Sequence, residues 1–229
     1  MNKLPAQKIN GLIDGIAVLQ ELAMSREPAS GKVIAEKLEL PQVRVNRILK
    51  TLDYLGLTHR NTSRRYSVGP GMHVLAAQSM SASGLLTRAL PYLKQLRQSE
   101  RTVALGVLWK DQVCYLFHNS GKNEFADGLG RMQLYPAFNS SIGLALLADL
   151  PVENIEQQTG RKPDRQLIKK IRRIKKQGYA SVQRQDHISL AVPVGEPAYA
   201  AIAVSGIKTR EEEQRFLKLL RKYAEDISG

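Results

Sequence analysis

One cysteine in 229 residues, Cys114, excludes an intrachain disulfide and leaves no cysteine cluster for a metal. It lies in the apolar run VCYLF, where a buried core thiol is expected. His59, His73, His118 and His187 are scattered without metal-ligand spacing. There is no G-x-S-x-G motif and no Walker lysine loop, and the S-x-x-K match at residues 205–208 lacks its partner motifs. The expectation is a protein with no enzymatic activity, no metal and no cofactor. No run approaches the ~18–20 apolar residues of a membrane span, and the opening MNKLPAQKINGLIDG lacks an apolar signal region. A cytoplasmic, reduced chain with no membrane partner is expected.

Acidic residues are also scarce. The chain has 21 Asp or Glu against 34 Lys or Arg, a formal net charge of +13, which favours polyanionic partners. The excess is shared, with +5 in residues 1–70 and +8 in residues 71–229, so charge alone does not locate a nucleic-acid site. With 43% hydrophobic residues the chain builds a packed core, and its length suits one large domain or two ordinary ones.

Pattern is more informative, above all over residues 40–69. At helical spacing, Val45, Ile48, Leu49, Leu52 and Leu55 form one apolar stripe, and Val43, Asn46, Arg47, Lys50 and Tyr54 fall opposite it. Asn, Arg and Lys on an outward face suit the major groove, where Asn pairs with adenine and Arg with guanine, and Val43 could meet a thymine methyl. An ordinary solvated basic helix fits the same pattern. The segment after the helix favours the first reading: residues 57–60 and 65–68 read as short strands joined by the polar turn 61–64, making a winged helix whose Arg60, Arg64 and Arg65 could hold phosphate.

Upstream, residues 1–9 read as a short arm carrying Lys3 and Lys8, and residues 10–25 as a helix burying Leu12, Ile16, Leu19 and Leu22 or Ala23. Ser30 precedes GKVIAEKL as an N-cap, which makes Ser30, Lys32 and the helix amides candidate phosphate contacts. Pro41 opens the recognition helix at a position where a missing N–H is harmless.

After Gly69-Pro70-Gly71, helical spacing returns through Met72, Leu75, Ala76 and Met80 and loosens at residues 81–84, predicting a linker helix and hinge over 70–83. A helix near 85–99 should be kinked or restarted by Pro91. Strands are predicted at 102–110, 112–118, around 131–135, 179–183, 188–194 and 198–204, with a glycine-containing loop at 121–130. Helices are predicted at the apolar segment IGLALLADL, at the basic segment 164–177 and at 209–227. The basic helix buries Leu167, Ile168, Ile171 and Ile174 and turns Lys and Arg outward, as a solvated face or a second DNA contact. Strands interspersed with helices give an α+β second half with a mixed or antiparallel sheet.

In order and spacing, NRILKTLDYLG, YSVGPGMHVLA, SSIGLALLADL, KKQGYA and AVPVGEPAYAAIAVSG resemble the IclR family of bacterial transcriptional regulators from about residue 10 onward. The resemblance implies a winged helix-turn-helix DNA-binding domain over 1–69, a linker helix over 70–83, and an α/β effector-binding and oligomerisation domain over 84–229. It implies a homodimer or tetramer on a palindromic double-stranded operator, responsive to a small-molecule effector such as a carboxylate. The DNA-contacting set is then Ser30, Lys32, Gln42, Val43, Arg44, Asn46, Arg47, Lys50, Arg64 and Arg65. By matching position the effector set is Leu134, the backbone of Ile142 and Gly143, Asp186, Ser189 and Ser205, with the free amides of a helix N-terminus suited to a carboxylate. Departures from the family pattern are Gln42, Val43 and Arg44 where small hydroxyl residues are common, a shorter GEP turn, and Ala203 in place of a hydroxyl. The alternative is a ligand-independent DNA-binding regulator whose C-terminal domain serves only oligomerisation or protein contacts.

Overall fold

The computed structural model describes residues 7–129 and 134–229. Lys3, and the beginning of the strand expected around 131–135, lie outside the described residues. Between Ser83 and Gly84 the chain divides into two compact units.

The first unit contains α1 (Asn10–Met24), α2 (Gly31–Leu38), α3 (Gln42–Tyr54), the antiparallel pair β1 (Thr58–Arg60) and β2 (Tyr66–Val68), and α4 (Pro70–Ser83). Its core gathers Val18 and Leu22 of α1, Ile34 of α2, Val45, Leu49 and Leu52 of α3, and Tyr66 of the wing. Two expected stripes differ. Helix α1 buries Val18 and Leu22, whereas Leu12, Ile13 and Ile16 face outward. Leu55 is 58% exposed because the helix ends one residue earlier, at Tyr54, and the chain turns through Gly56 at φ 71°. Helix α4 runs without a break to Ser83 and buries none of its residues, so an apolar helix carries Val74 and Leu75 in the open.

The second unit contains α5 (Leu85–Arg97), β3 (Thr102–Trp109), β4 (Gln112–Asn119), β5 (Leu134–Pro136), α6 (Ser141–Asp149), α7 (Val152–Thr159), α8 (Arg165–Gln177), β6 (Ala180–Gln183), β7 (Ile188–Val194), β8 (Ala200–Ile207) and α9 (Arg210–Ser228). The strands form one sheet in the order β5-β4-β3-β8-β7-β6, antiparallel at every pairing, which resolves the mixed-or-antiparallel alternative. Pro91 sits inside a continuous α5 without ending it. Helix α7 has no counterpart in the expected elements, since eight residues with Ile155 and Thr159 buried are too short to establish a period.

Layering follows from side-chain alternation. One sheet face packs through Leu105, Phe117, Leu190 and Ile202 on α5 and α9; the other packs through Val113, Ala191 and Ala201 on α6 and α8. Helix α6 is buried from Ser141 through Ala148, as expected of a helix apolar on all sides. Its first turn lies so close to the 3-10 turn Ala137–Asn139 that a Cβ on Gly143 would stand 2.2 Å from the Ala137 carbonyl oxygen. Only backbone blocks that space, so relief requires moving the helix. Gly143→Ala is therefore expected to destabilise the protein by about 1–3 kcal/mol, the usual cost of forcing atoms into a packed core, read as a lowered thermal midpoint of the full chain.

Candidate functional site

Helix α3 offers its outward side directly. Val43 is 74% and Tyr54 90% exposed, and Arg47 and Lys50 are exposed between them. Their separations of three or four residues set Val43, Arg47, Lys50 and Tyr54 on one ridge opposite Val45, Leu49 and Leu52. One expected groove residue, Asn46, lies on the flank instead, where Arg44 also lies. Asn46 is half-buried against α2, and a Cβ on Gly31 would come 2.2 Å from its Oδ1, so the glycine makes room for the amide. Arg44 turns to α1 and pairs with Asp14 at 2.5 Å. Gln42 is exposed at the helix start.

The start of α2 and the wing are drawn together. Reciprocal backbone hydrogen bonds of 2.9 and 2.8 Å join Ala29 to Tyr66, so β2 runs beside the segment that enters α2. The Val33 amide donates to Ser30 Oγ at 3.3 Å, as the N-cap reading expects. Ser30, Val33, Lys37 and Arg65 line one open hollow of about 420 Å³. Arg65 thus adds a cation to a helix N-terminus that favours anions. Lys32 instead stands 3.9 Å from Glu36 on the solvent side. Asn61 Oδ1 accepts from the Arg65 amide at 2.9 Å and Arg64 takes φ 60°, which tightens the wing turn, while Arg60 stacks 5.6 Å from the Tyr66 ring centroid.

The second unit holds a cavity of about 540 Å³ between the sheet and the N-terminal end of α6, within the range of small-molecule sites. Leu134, Ile142, Ser189 and Ser205, all expected there, line it. Gly143 and Asp186 do not. The Gly143 amide donates to Ser140 Oγ at 3.3 Å, so that amide is already capped and the residue serves close packing. Asp186 projects into solvent and bonds His187 Nδ1 at 2.7 Å, an interaction that holds its carboxyl below the usual aspartate range.

Residue Arg184, two positions earlier in the same turn, lines the cavity in place of Asp186 and donates from Nη2 to the Asn139 carbonyl at 2.5 Å. Sequence reasoning misses it, and misses Thr102, Tyr115, His118, Tyr135 and Ser141 as well. Tyr115 stacks edge-on to His118 with centroids 5.1 Å apart, and its hydroxyl lies 3.2 Å from Ser140 Oγ. Burial raises the Tyr115 pKa, keeping the hydroxyl protonated. Arg184 is the one permanently charged side chain among the described lining residues, and none of them is acidic. The lining thus combines one permanent positive charge with apolar and aromatic side chains. Ala203 contributes a methyl, in keeping with the missing hydroxyl.

Cys114 is half-buried on β4 rather than fully enclosed, and burial raises its thiol pKa. Among the described residues no group of three or more His, Cys, Asp or Glu could hold a metal, and no helix is long and apolar enough to cross a membrane.

At the base of the cavity Ser141 Oγ and Ser189 Oγ lie 2.9 Å apart, both buried, tying α6 to β7. Removing either hydroxyl strands the other. Ser141→Ala and Ser189→Ala are each expected to cost about 1–3 kcal/mol, with the double variant costing little more than one of them; denaturant unfolding of all four proteins measures the coupling.

In comparison with known proteins, residues 77–229 match the family described as Bacterial transcriptional regulator IclR C-terminal. The chain is 25% identical to the Pca regulon regulatory protein of Pseudomonas putida, covering 96% of this chain and 83% of that protein. Its fold is similar to that of an IclR family transcriptional regulator from Brucella abortus, with a TM-score of 0.75, 24% identity, and coverage of 100% of this chain and 94% of that one. It is also similar to an IclR homolog from Microbacterium hydrocarbonoxydans solved in complex with 4-hydroxybenzoate, with a TM-score of 0.66, 20% identity, and coverage of 95% and 97%.

Proposed function

The chain belongs to the IclR family of bacterial transcriptional regulators, and on that premise we propose that its winged helix binds a palindromic operator while a small carboxylate in the 540 Å³ cavity modulates that binding. The observation that carries the DNA half is the exposed ridge Val43, Arg47, Lys50 and Tyr54 on α3, flanked by the hollow that joins Ser30 to Arg65. Arg47 and Lys50 meet base edges or phosphates, Val43 packs on a thymine methyl, and Arg64 and Arg65 hold the backbone beside them. Asn46 and Arg44 act from the flanks, the first set against Gly31 and the second held by Asp14.

The effector reading rests on the cavity's charge and shape. The Arg184 guanidinium and the first amides of α6 receive the carboxylate, while Tyr115, Tyr135 and His118 border its body. Ser189 and Ser205 supply further hydrogen bonds. The neighbour holding 4-hydroxybenzoate supports an aromatic acid as the first compound to try. A ligand-independent regulator is the weaker reading, because a cavity of this size with a cation and no acid among its described lining residues has no evident role in assembly alone. The outward apolar residues of α1 (Leu12, Ile13, Ile16) and α4 (Val74, Leu75) support a homodimer or tetramer, which would remove them from water. Binding acts by population shift, the effector favouring one arrangement of the assembled subunits.

On an operator recovered by genome-wide footprinting, Arg47→Ala and Lys50→Ala are each expected to weaken binding by roughly tenfold or more, in line with about 1–3 kcal/mol per specific contact. Unchanged affinity in both would refute the docking of α3. For the effector, a panel of aliphatic and aromatic carboxylates is titrated calorimetrically, and Arg184→Ala is expected to lose at least about tenfold in affinity for whichever acid binds, matching about 1.5–3 kcal/mol for a charge-assisted hydrogen bond. Equal affinity in parent and variant would remove Arg184 from the site.

A further inference from the structure

Residues 84–229 carry 23 Lys or Arg against 15 Asp or Glu, a net charge of +8, and the stretch 165–177 supplies seven of those cations and no acid. Apart from α8 the unit is therefore close to neutral. We propose that the outer face of α8 is a second polyanion site, binding the phosphate backbone of duplex DNA independently of sequence. The proposal extends the reading of the chain as a DNA-binding regulator to a surface outside the winged helix.

The helix is fixed at both ends in a way that presents this face. Asp164 Oδ1 caps it by accepting from the Leu167 amide at 2.7 Å, and Gly178 ends it at φ 76°. Its apolar side is already used: Ile171 and Ile174 are buried in the core with α6, and Leu167 packs against them. Arg165, Lys169, Arg172 and Lys176 fall within one narrow stripe on the opposite side and are all exposed. At 1.5 Å per residue the stripe extends about 16 Å. A duplex presents one phosphate per about 1.7 Å of axis, both strands counted, so a cation row of this length finds several phosphates in reach.

Neutralising partners are missing. Among the described residues no ion pair involves any of the seven cations. Lys170, on the flank of the helix, has its pKa lowered, first by burial and then by the neighbouring guanidiniums of Arg184 and Arg173. A membrane surface fits poorly, because interfacial helices insert an apolar face and that of α8 is spent on the core. The face is also devoid of aromatic residues on which unpaired bases could stack, which favours phosphates of a duplex over a single strand.

The full chain is tested on a random-sequence 60-base-pair duplex by fluorescence anisotropy between about 50 and 200 mM salt, where each phosphate contact contributes about 0.9 to the slope of log affinity against log salt. Arg165→Gln/Lys169→Gln/Arg172→Gln/Lys176→Gln is expected to flatten that slope by about 2 to 4 and to weaken binding at least about tenfold at the lower salt. Arg165→Lys/Lys169→Arg/Arg172→Lys/Lys176→Arg, which keeps every charge, is expected to retain the parent slope. The same α8 changes are placed on Arg47→Ala/Lys50→Ala: loss of operator binding without an α8 effect overturns only this proposal, whereas an α8 effect without a recognition-helix effect overturns only the docking of α3. A slope unchanged by the four Gln substitutions in a folded protein overturns the proposal, as does preferential binding of the face to vesicles of 30% anionic phospholipid or to an acidic protein surface while DNA binding stays unaltered.

Discussion

Burial of α6 on every side is the constraint from which the second unit takes its shape. A helix reading SIGLALLAD has no polar face to give to water, so it is enclosed by the sheet on one side and by α8 on the other. Enclosure this complete leaves no slack at its first turn. Gly143 lets that turn approach the Ala137 backbone, Ser140 caps it, and Ser141 pins it to Ser189 on β7. The cavity lies at this pinned end, so part of its wall is set by backbone packing and two buried hydroxyls. Walls fixed in this way hold the polar groups of a small-molecule site in place.

Much of the architecture was legible in the sequence because one-dimensional periods report burial. The apolar runs of β7 and β8, the apolar stripes of α3 and α8, and the capping residue Ser30 all act over a few neighbouring positions. The same logic misreads apolar residues that no part of a single chain covers. Leu12 and Ile16 satisfy helical spacing as well as Val18 and Leu22 do, yet they face outward. Periodicity records that a face is apolar, and the partner that covers it need not belong to the same chain. Leu55 shows a second limit, since one residue past a helix end is enough to lose the phase.

The candidate sites were legible only in part, for reasons of distance. Leu134, Ile142, Ser189 and Ser205 were reached through family position. Arg184 comes from a turn, Thr102 from a strand end and Tyr115 from the middle of β4, and nothing local in the sequence marks them as neighbours. Asp186 and Arg184 share one short turn, and which of the two points inward depends on that turn's geometry. On α3 the helical wheel separates core from surface correctly but cannot tell an outward residue from a lateral one. Packing against α2 decides that for Asn46, which sits against Gly31, while Arg44 pairs with Asp14 of α1 and Arg47 and Lys50 stay exposed.

Charge followed the same course from composition to geometry. Divided by sequence, the positive excess looked evenly shared between the two halves. Divided by element, the second half concentrates it on one helix, and that helix is the one whose apolar side α6 requires as a cover. The two facts are connected, because an amphipathic helix that spends one face roofing a buried neighbour must put all its remaining residues in solvent. Any mixture of polar residues would meet that demand at no electrostatic cost. A face of seven cations without one carboxylate instead adds mutual repulsion that the fold alone does not need. Core packing therefore accounts for the position of α8 and for the amphipathic pattern of its sequence, whereas the uniform sign of its outer face calls for an anion from outside the chain.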